Sequence, residues 1–308
     1  MNDAAPHTPV MVQELLSLLI TNKDGTYLDC TLGSAGHAQA LLGALSPSGK
    51  LVGLDADAAS LEAATERLGK FEGRVRLFHA SYVDLEEVLD LAGVDAVDGV
   101  LFDLGLSSMQ LADTSRGFAH SADGPLDMRF DASKGRTAAE LLRSLPRKRL
   151  AEMFRDLGQL RRSGAISGAI ERARSRRSIR TTRELVDALQ GVLMRGPARQ
   201  RQLAQIFQAL RIAVNGELDS LDRGLRAAGR RLKPGGVLSV ISYHSLEDGK
   251  AKRFMRENKS EWTVLTKKPL TASQQEISSN PRARSAKLRA AAKTVQAEPA
   301  PAWGIRGE

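Results

Sequence analysis

Three aspartates each close a short apolar run: Tyr27-Leu28-Asp29, Leu51-Val52-Gly53-Leu54-Asp55 and Val100-Leu101-Phe102-Asp103. The first run leads into Cys30-Thr31-Leu32-Gly33-Ser34-Ala35-Gly36-His37. Small residues at 33–36 let the backbone approach a ligand closely, and a helix beginning there offers free N–H groups. The turn is not the dinucleotide fingerprint, which wants G-x-G-x-x-G, and two glycines after a strand are also ordinary loop chemistry. Asp55 follows the glycine turn by about twenty residues, where doubly wound folds place an acid on a ribose diol. Strand, turn, helix, strand and acid together point to a cofactor that contains adenosine. Asp103 opens Leu104-Gly105-Leu106-Ser107-Ser108-Met109-Gln110, beside the point where strand order reverses and ligands bind. An acid there can pair with the ammonium of a methionine moiety, although such a segment also serves as a loop with a helix cap.

Two further segments carry concentrated polar chemistry. Asp123-Gly124-Pro125-Leu126-Asp127-Met128-Arg129-Phe130-Asp131 places three acids and an arginine around a Gly-Pro turn. Ser242-Tyr243-His244-Ser245-Leu246-Glu247-Asp248 follows another apolar run. A lone histidine is usually structural; His244, at a strand end beside serines and acids, reads equally as scaffold or as site.

The elements that must position these residues follow from periodicity. Apolar runs alternate with helical stretches such as Ala58 to Leu68, and Val75 to His79 supplies another strand. Alternating strands and helices imply an α/β fold with a parallel sheet covered on both faces. After Asp103 the rhythm stops. The next comparable strand is Val237 to Ile241, introduced by the turn Lys233-Pro234-Gly235-Gly236, roughly 130 residues on, where a crossover needs about a dozen. The inserted stretch reads as helices over Ala138–Leu145, Lys148–Asp156, Ala165–Arg174 and Thr182–Met194, the last opened by a Thr181/Glu184 capping box. Leu203, Ile206, Phe207, Leu210, Val214, Leu218, Leu221 and Leu225 form the core-facing stripe of one long helix or a helix pair. Trp262–Thr266 and Ser285–Ala291 read as two last strands. The expected organisation is a core over 1–110, a basic helical insert over 111–200, a second core part over 201–295 and a loosely ordered tail over 296–308. No internal repeat is visible.

Composition narrows the partners. The 308 residues carry a net charge of +9, with a pI near 9.9. Residues 143–211 hold 17 Arg and Lys against 5 Asp and Glu, so this stretch alone exceeds the whole chain's positive excess. A concentrated basic segment favours an anionic partner. Aromatic content is only 4%, which argues against broad stacking platforms for single strands. The single cysteine, Cys30, excludes an intrachain disulfide and a thiolate zinc cluster. Neither a signal peptide nor a membrane span is recognisable, and no metal constellation is evident.

The loop motifs resemble one family. His7-Thr8-Pro9-Val10-Met11, the turn ending Gly36-His37, Asp103 to Ser108, Arg116-Gly117-Phe118, Asp123 to Arg129, Phe207 to Ile212, Val214-Asn215, Ile241 to Asp248 and Asn280 to Ser285 are similar, in that order, to signatures of the RsmH (MraW) family of small-subunit rRNA cytosine-N4 methyltransferases. The resemblance implies a class I, Rossmann-like methyltransferase sheet with a helical insert after the fourth strand, and S-adenosylmethionine as cofactor. It implies a cofactor site of Gly33, Ala35, Gly36, His37, Asp55, Tyr82, Asp103 and Gln110. It implies a target cytidine in the decoding region of 16S rRNA, free or in the assembled small subunit, in the cytoplasm; a homodimer is compatible. Departures lie at Ser34-Ala35, Ala119 to Ala122, Leu157 to Leu160 and Ala198 to Gln200. They touch the insert more than the cofactor half. Alanine at 35 still admits close approach with a negative φ.

Cytosine N4 is a poor nucleophile because its lone pair is delocalised into the ring, so acceptors on its protons and in-line positioning must supply the rate. Asp103, Ser107 and His244 are the candidates for that role. Arg129, Arg174, Arg176, Arg177 and Arg211 are the candidates for gripping RNA. Two other classes fit parts of the pattern: an inactive methyltransferase-like RNA-binding protein, and a nucleotide-dependent oxidoreductase, against which the missing G-x-G-x-x-G argues.

Overall fold

A computed structural model describes residues 9–295; the expected tail at 296–308, with His7 and Thr8, lies outside the described residues. The strands are β1 (Thr26–Asp29), β2 (Lys50–Asp55), β3 (Val75–His79), β4 (Val97–Asp103), β5 (Leu232–Ser242), β6 (Trp262–Val264), β7 (Leu270–Thr271) and β8 (Lys287–Lys293). They form one sheet in the order β3-β2-β1-β4-β5-β8-β6, with β7 also paired to β8. The first five strands run parallel, and β6, β7 and β5 each pair antiparallel with β8. The helices are α1 (Val12–Leu19), α2 (Gly36–Ala44), α3 (Ala58–Leu68), α4 (Leu85–Leu91), α5 (Ser108–Ala112), α6 (Ala138–Ser144) and α7 (Arg147–Asp156). They continue with α8 (Ser163–Arg174), α9 (Thr182–Leu189), α10 (Pro197–Asn215), α11 (Glu217–Arg231), α12 (Ser245–Glu257) and α13 (Gln274–Ser279).

The two-residue period of the strands splits the core into two faces. Tyr27, Leu51, Leu101, Val237 and Ile241 join Leu15 and Leu19 of α1, Leu41 and Leu42 of α2 and Leu68 of α3. Leu28, Val52, Val100, Phe102, Leu238 and Val240 join Leu85 of α4, Leu221 and Leu225 of α11 and Met255 of α12. Each aliphatic side chain contributes about 1.5–3 kcal/mol on burial, and a one-residue slip would carry a whole set to the wrong layer. The strand ends that carry Asp29, Asp55 and Asp103 are thereby fixed against one another.

The sequence reading and the structure differ at several joints. Lys233 to Gly236 is not a turn before β5 but a bulge within it: Val97 pairs with Leu232 while Gly99 pairs with Val237. The last two strands are Trp262–Val264 and Lys287–Lys293, with the short β7 between them unforeseen. The long apolar stripe belongs to two helices, broken at Gly216 with φ 58°. The expected boundary at 200 falls inside α10, whose Ile206, Phe207 and Leu210 join the core of the insert. That core also takes Phe118, Leu126 and Met128, with Leu141 and Leu142 of α6, Leu150 and Phe154 of α7, Ile166 and Ile170 of α8 and Leu185 of α9.

The loop at 113–131 is wound tightly over the start of the insert. Leu126 donates its amide to the Arg180 carbonyl, and Thr182 donates to that of Gly124. A Cβ on Gly124 would lie 1.9 Å from the Thr114 carbonyl oxygen, so only glycine fits. Gly135 has φ 75° but nothing near it. Gly124→Ala is therefore expected to cost more than about 3 kcal/mol, and Gly135→Ala about 1–2 kcal/mol from its left-handed backbone alone, as urea unfolding would measure.

Candidate active site

The carboxyl ends of β1, β2, β4 and β5 open into a cavity of about 620 Å³, closed on its other side by the 118–121 segment and α10. Sites of roughly 300–1,000 Å³ take one small molecule or more. Gly33, with φ 49°, gives its amide to Asp55 Oδ2 at 2.8 Å. A side chain at Gly33 would point towards Ser107, whose Cβ would be 3.7 Å away, so the bare backbone leaves this part of the cradle open. Asp55 Oδ1 accepts from the Asp57 amide at 2.8 Å. Burial pushes the Asp55 carboxyl up to about 6, with these two amides pulling the other way.

Ala35 departs from expectation. Its φ is 59°, not negative, and it is wholly buried, while Ser34 and Gly36 line the cavity on either side of it. Ala35 donates to the Leu32 carbonyl at 2.7 Å and caps α2 from the left-handed region, at a cost of about 1–2 kcal/mol. It shapes the cradle without facing it.

His37 has acceptors on both ring nitrogens: the Val10 carbonyl 2.8 Å from Nε2 and Asp103 Oδ2 3.3 Å from Nδ1. Both nitrogens can donate only in the imidazolium. Burial opposes that charge, but the hydrogen bond and charge of Asp103, helped by Val10, hold the pKa above its ordinary value. The Tyr243 phenol donates to Asp103 Oδ1 at 2.9 Å, and the Asp103 amide donates to Thr31 Oγ1 at 2.6 Å. Asp103 is thus a carboxylate held from two sides at the cavity wall. Below it Asp29 is buried, its carboxyl raised to about 7 by that burial.

Tyr82 packs edge-on against Phe102, with ring centroids 5.5 Å apart, and closely against Gly224. Burial, with Glu217 and Glu247 nearby, pushes its phenol well above the usual range. Ser107 and Gln110 form a capping box on α5, and Gln110 Nε2 donates to Asp57 Oδ2 at 2.9 Å. Gln110 is a strut more than a free hand. Arg116 also binds Asp57, through Nη1 at 3.1 and 3.3 Å, and gives Nη2 to the carbonyls of Arg129 and Phe130.

His244 is the N-cap of α12. Its Nδ1 accepts from the Glu247 amide at 3.4 Å, so Nε2 carries the proton. Nε2 is buried and lies 3.0 Å from Glu247 Oε1, yet it makes no aligned hydrogen bond among the described residues. Glu217, His244 and Glu247 have ligand atoms within 4.8 Å of one another, a triad the sequence did not reveal. Arg211 already holds both oxygens of Glu217, at 2.8 and 2.9 Å, so a metal ion would have to displace it.

The expected RNA-gripping arginines divide. Arg211 is buried in that ion pair, and Arg129 is clamped by Asp127 at 2.9 and 2.7 Å. Arg174 caps α6 by donating to the carbonyls of Leu142 and Leu145 at 2.5 and 2.6 Å. Arg129 and Arg174 serve internal contacts instead of an open basic face, and Arg211 lines the cavity. Arg177 is exposed and 3.2 Å from Glu184. Arg176 is exposed; its amide donates to the Ala173 carbonyl, and its guanidinium has no hydrogen bond or ion pair among the described residues. Sequence reasoning missed Thr31, Asp57, Tyr243, Glu217, Glu247 and Arg282 as individual contributors. Tyr243, Glu247 and Arg282 lay inside segments already singled out; Glu217 had no signal.

A family model described as the MraW methylase family matches residues 4–294. The chain belongs to the MraW methylase family. It is 44% identical to the ribosomal RNA small subunit methyltransferase H of Pelobacter propionicus, over 93% of this chain and 98% of the relative. It is 45% identical to the protein of the same name from Sorangium cellulosum, over 95% and 92%. Among solved structures, an rRNA methylase from Streptococcus thermophilus aligns with a TM-score of 0.44 at 11% identity, over 92% of this chain and 94% of that one. The residues present fit the family's S-adenosylmethionine: Gly33 leaves the cradle open, and the carboxyl groups of Asp55 and Asp103 line one cavity with it.

An ionised carboxylate accepts hydrogen bonds from ribose hydroxyls better than a neutral carboxyl does, and Asp55 is the acid expected in that role. Its carboxyl titrates at about 6, so S-adenosylmethionine affinity should be full above that pH and fall as pH drops through it. Asp55→Asn should bind about 10–100-fold more weakly at pH 8 and lose the pH dependence, as calorimetry from pH 5 to 8 would report.

Proposed function

We propose that this chain transfers a methyl group from S-adenosylmethionine to the N4 amine of a cytidine in the decoding region of 16S rRNA. The enzyme is an S-adenosylmethionine-dependent methyltransferase of small-subunit rRNA. When bound, the cofactor supplies an electrophilic methyl group. The observation that carries the reading is Asp103, a carboxylate fixed by Tyr243 and His37 in the same cavity as Gly33 and Asp55.

The N4 amine must give up a proton as its new N–C bond forms. Asp103 accepts N–H donors readily, because its two oxygens keep spare lone pairs while Tyr243 and His37 fix their direction. An amine hydrogen held there turns the nitrogen lone pair out of conjugation with the ring. The Nδ1 lone pair of His244 is already engaged by the Glu247 amide at the start of α12, so Asp103 is preferred to it as the acceptor. The Ser107 hydroxyl accepts from the Gln110 amide and retains its own proton to donate. Leu104 to Leu106, Phe118, Phe207 and Leu221 surround the polar groups and limit water. The target base has to leave its stack to reach this depth.

Exposed arginines of the insert, Arg176 and Arg177 among them, give the reading its phosphate contacts. No helix among the described residues is long and apolar enough to cross a membrane. The assembled small subunit in the cytoplasm is the proposed place of action.

Mass mapping of 16S rRNA from cells with and without the gene should show one cytidine losing its N4-methyl group; an unchanged map would refute the proposal. Asp103→Asn should lower single-turnover transfer about 10²–10⁴-fold. Arg176→Glu with Arg177→Glu should weaken binding to unmodified small subunits and flatten the salt dependence by about two units of slope, leaving cofactor affinity unchanged. Arg174→Glu should instead lower the melting temperature.

A further inference from the structure

The cavity contains a second polar wall that the cofactor reading does not use. It comes from the end of α10, the start of α11 and the β5–α12 junction, and none of these carries Gly33 or Asp55. Arg211, Glu217 and Glu247 bring three formal charges out of water there, beside His244. A structural ion pair would need only Arg211 and Glu217, which satisfy each other through two bonds. Glu247 is left over. Its Oε2 accepts from the amide of Tyr243 at 3.0 Å, and more weakly from that of His244 at 3.4 Å. Its Oε1 has Arg211 Nη2 at 3.8 Å and the unaligned His244 Nε2 at 3.0 Å. One acceptor oxygen is therefore flanked by two donors, neither in good hydrogen-bond geometry with it. Burying charge in this state is costly unless a ligand completes it.

We infer that Arg211, His244 and Glu247, braced by Glu217, form the wall that reads the target base and admits cytosine while rejecting uracil. The inference rests on the cytidine reading given above. Cytosine presents a donor amine at N4 and acceptors at N3 and O2. Glu247 Oε1 takes one amine hydrogen, and the N–H groups of Arg211 and His244 meet the acceptor side. Uracil would set O4 against a buried carboxylate and N3–H against donors. Tyr243 joins this wall to the reaction: its amide holds Glu247, and its phenol holds Asp103. Selection of the base and the fixing of Asp103 therefore share one residue.

The test uses the full-length protein and small subunits reconstituted with 16S transcripts carrying cytidine or uridine at the methylated position. Binding of each is measured with S-adenosylhomocysteine present. The wild type should prefer the cytidine particle. Glu247→Gln keeps the size and the α12 cap, but its amide can also donate to O4; the preference should shrink about tenfold or more, with melting temperature and S-adenosylhomocysteine affinity unchanged. An unchanged preference overturns the inference. Should Glu247→Gln fail to fold, His244→Asn, which keeps a capping side chain, decides in the same way. A wild-type preference abolished by EDTA would assign the triad to a metal ion and also overturn it. A wild type that leaves the cytidine particle unmethylated would sink the functional reading itself, a result distinct from these.

Discussion

The carboxylate of Asp57 ties the two halves of the molecule together. It lies just beyond β2 and is buried. Gln110 reaches it from α5 and Arg116 from the loop that begins the insert, and its own amide holds Asp55. Arg116 then grips the carbonyls of Arg129 and Phe130 with its other arm. Asp55, the helix after Asp103 and the roof of the cavity thus share one buried network. Removing one partner of such a network leaves the others uncompensated, typically at about 3–5 kcal/mol. The cavity keeps its shape because these groups have no cheaper place to go.

The cofactor half was legible because its information is local. A strand, a small-residue turn and an acid lie within thirty residues, and a period of two marks the strands on their own. What failed there was conformational: nothing in Ser34-Ala35-Gly36 tells that alanine, flanked by glycine, takes the left-handed turn. The insert showed its helices but not its arginines' destinations. Charge counting sees Arg174 and Arg211 as surplus cations, whereas three-dimensional contacts spend one on the carbonyl end of α6 and bury the other beside Glu217. Groups brought together across long stretches of chain, such as Asp57 with Arg116 or Asp103 with Tyr243, leave no periodic trace. His244 looked like a base because its segment is polar; the backbone shows that half its chemistry goes to starting α12.

The distribution of charge matches two very different ligands. The strand ends in the cavity wall carry Asp55 and Asp103. The insert carries a large cationic excess on its exposed helices. Acids at those strand ends suit a cofactor whose sulfonium and ammonium are positive, while a basic exterior suits a polyanion. Keeping the fields apart lets the enzyme hold a cation at the bottom of a site whose rim attracts phosphates.

The N-terminal segment is part of the site as much as the strands are. Val10 supplies the carbonyl that holds His37, and the Met11 amide donates to Glu276 of α13 at 2.7 Å. Arg282 and Ser285 complete the cavity lining from the same late stretch of chain. A nascent polypeptide still threaded through its exit tunnel therefore possesses Gly33, Asp55 and Asp103 long before it possesses a closed pocket. Closure of the pocket has to await the late stretch that carries Glu276, Arg282 and Ser285.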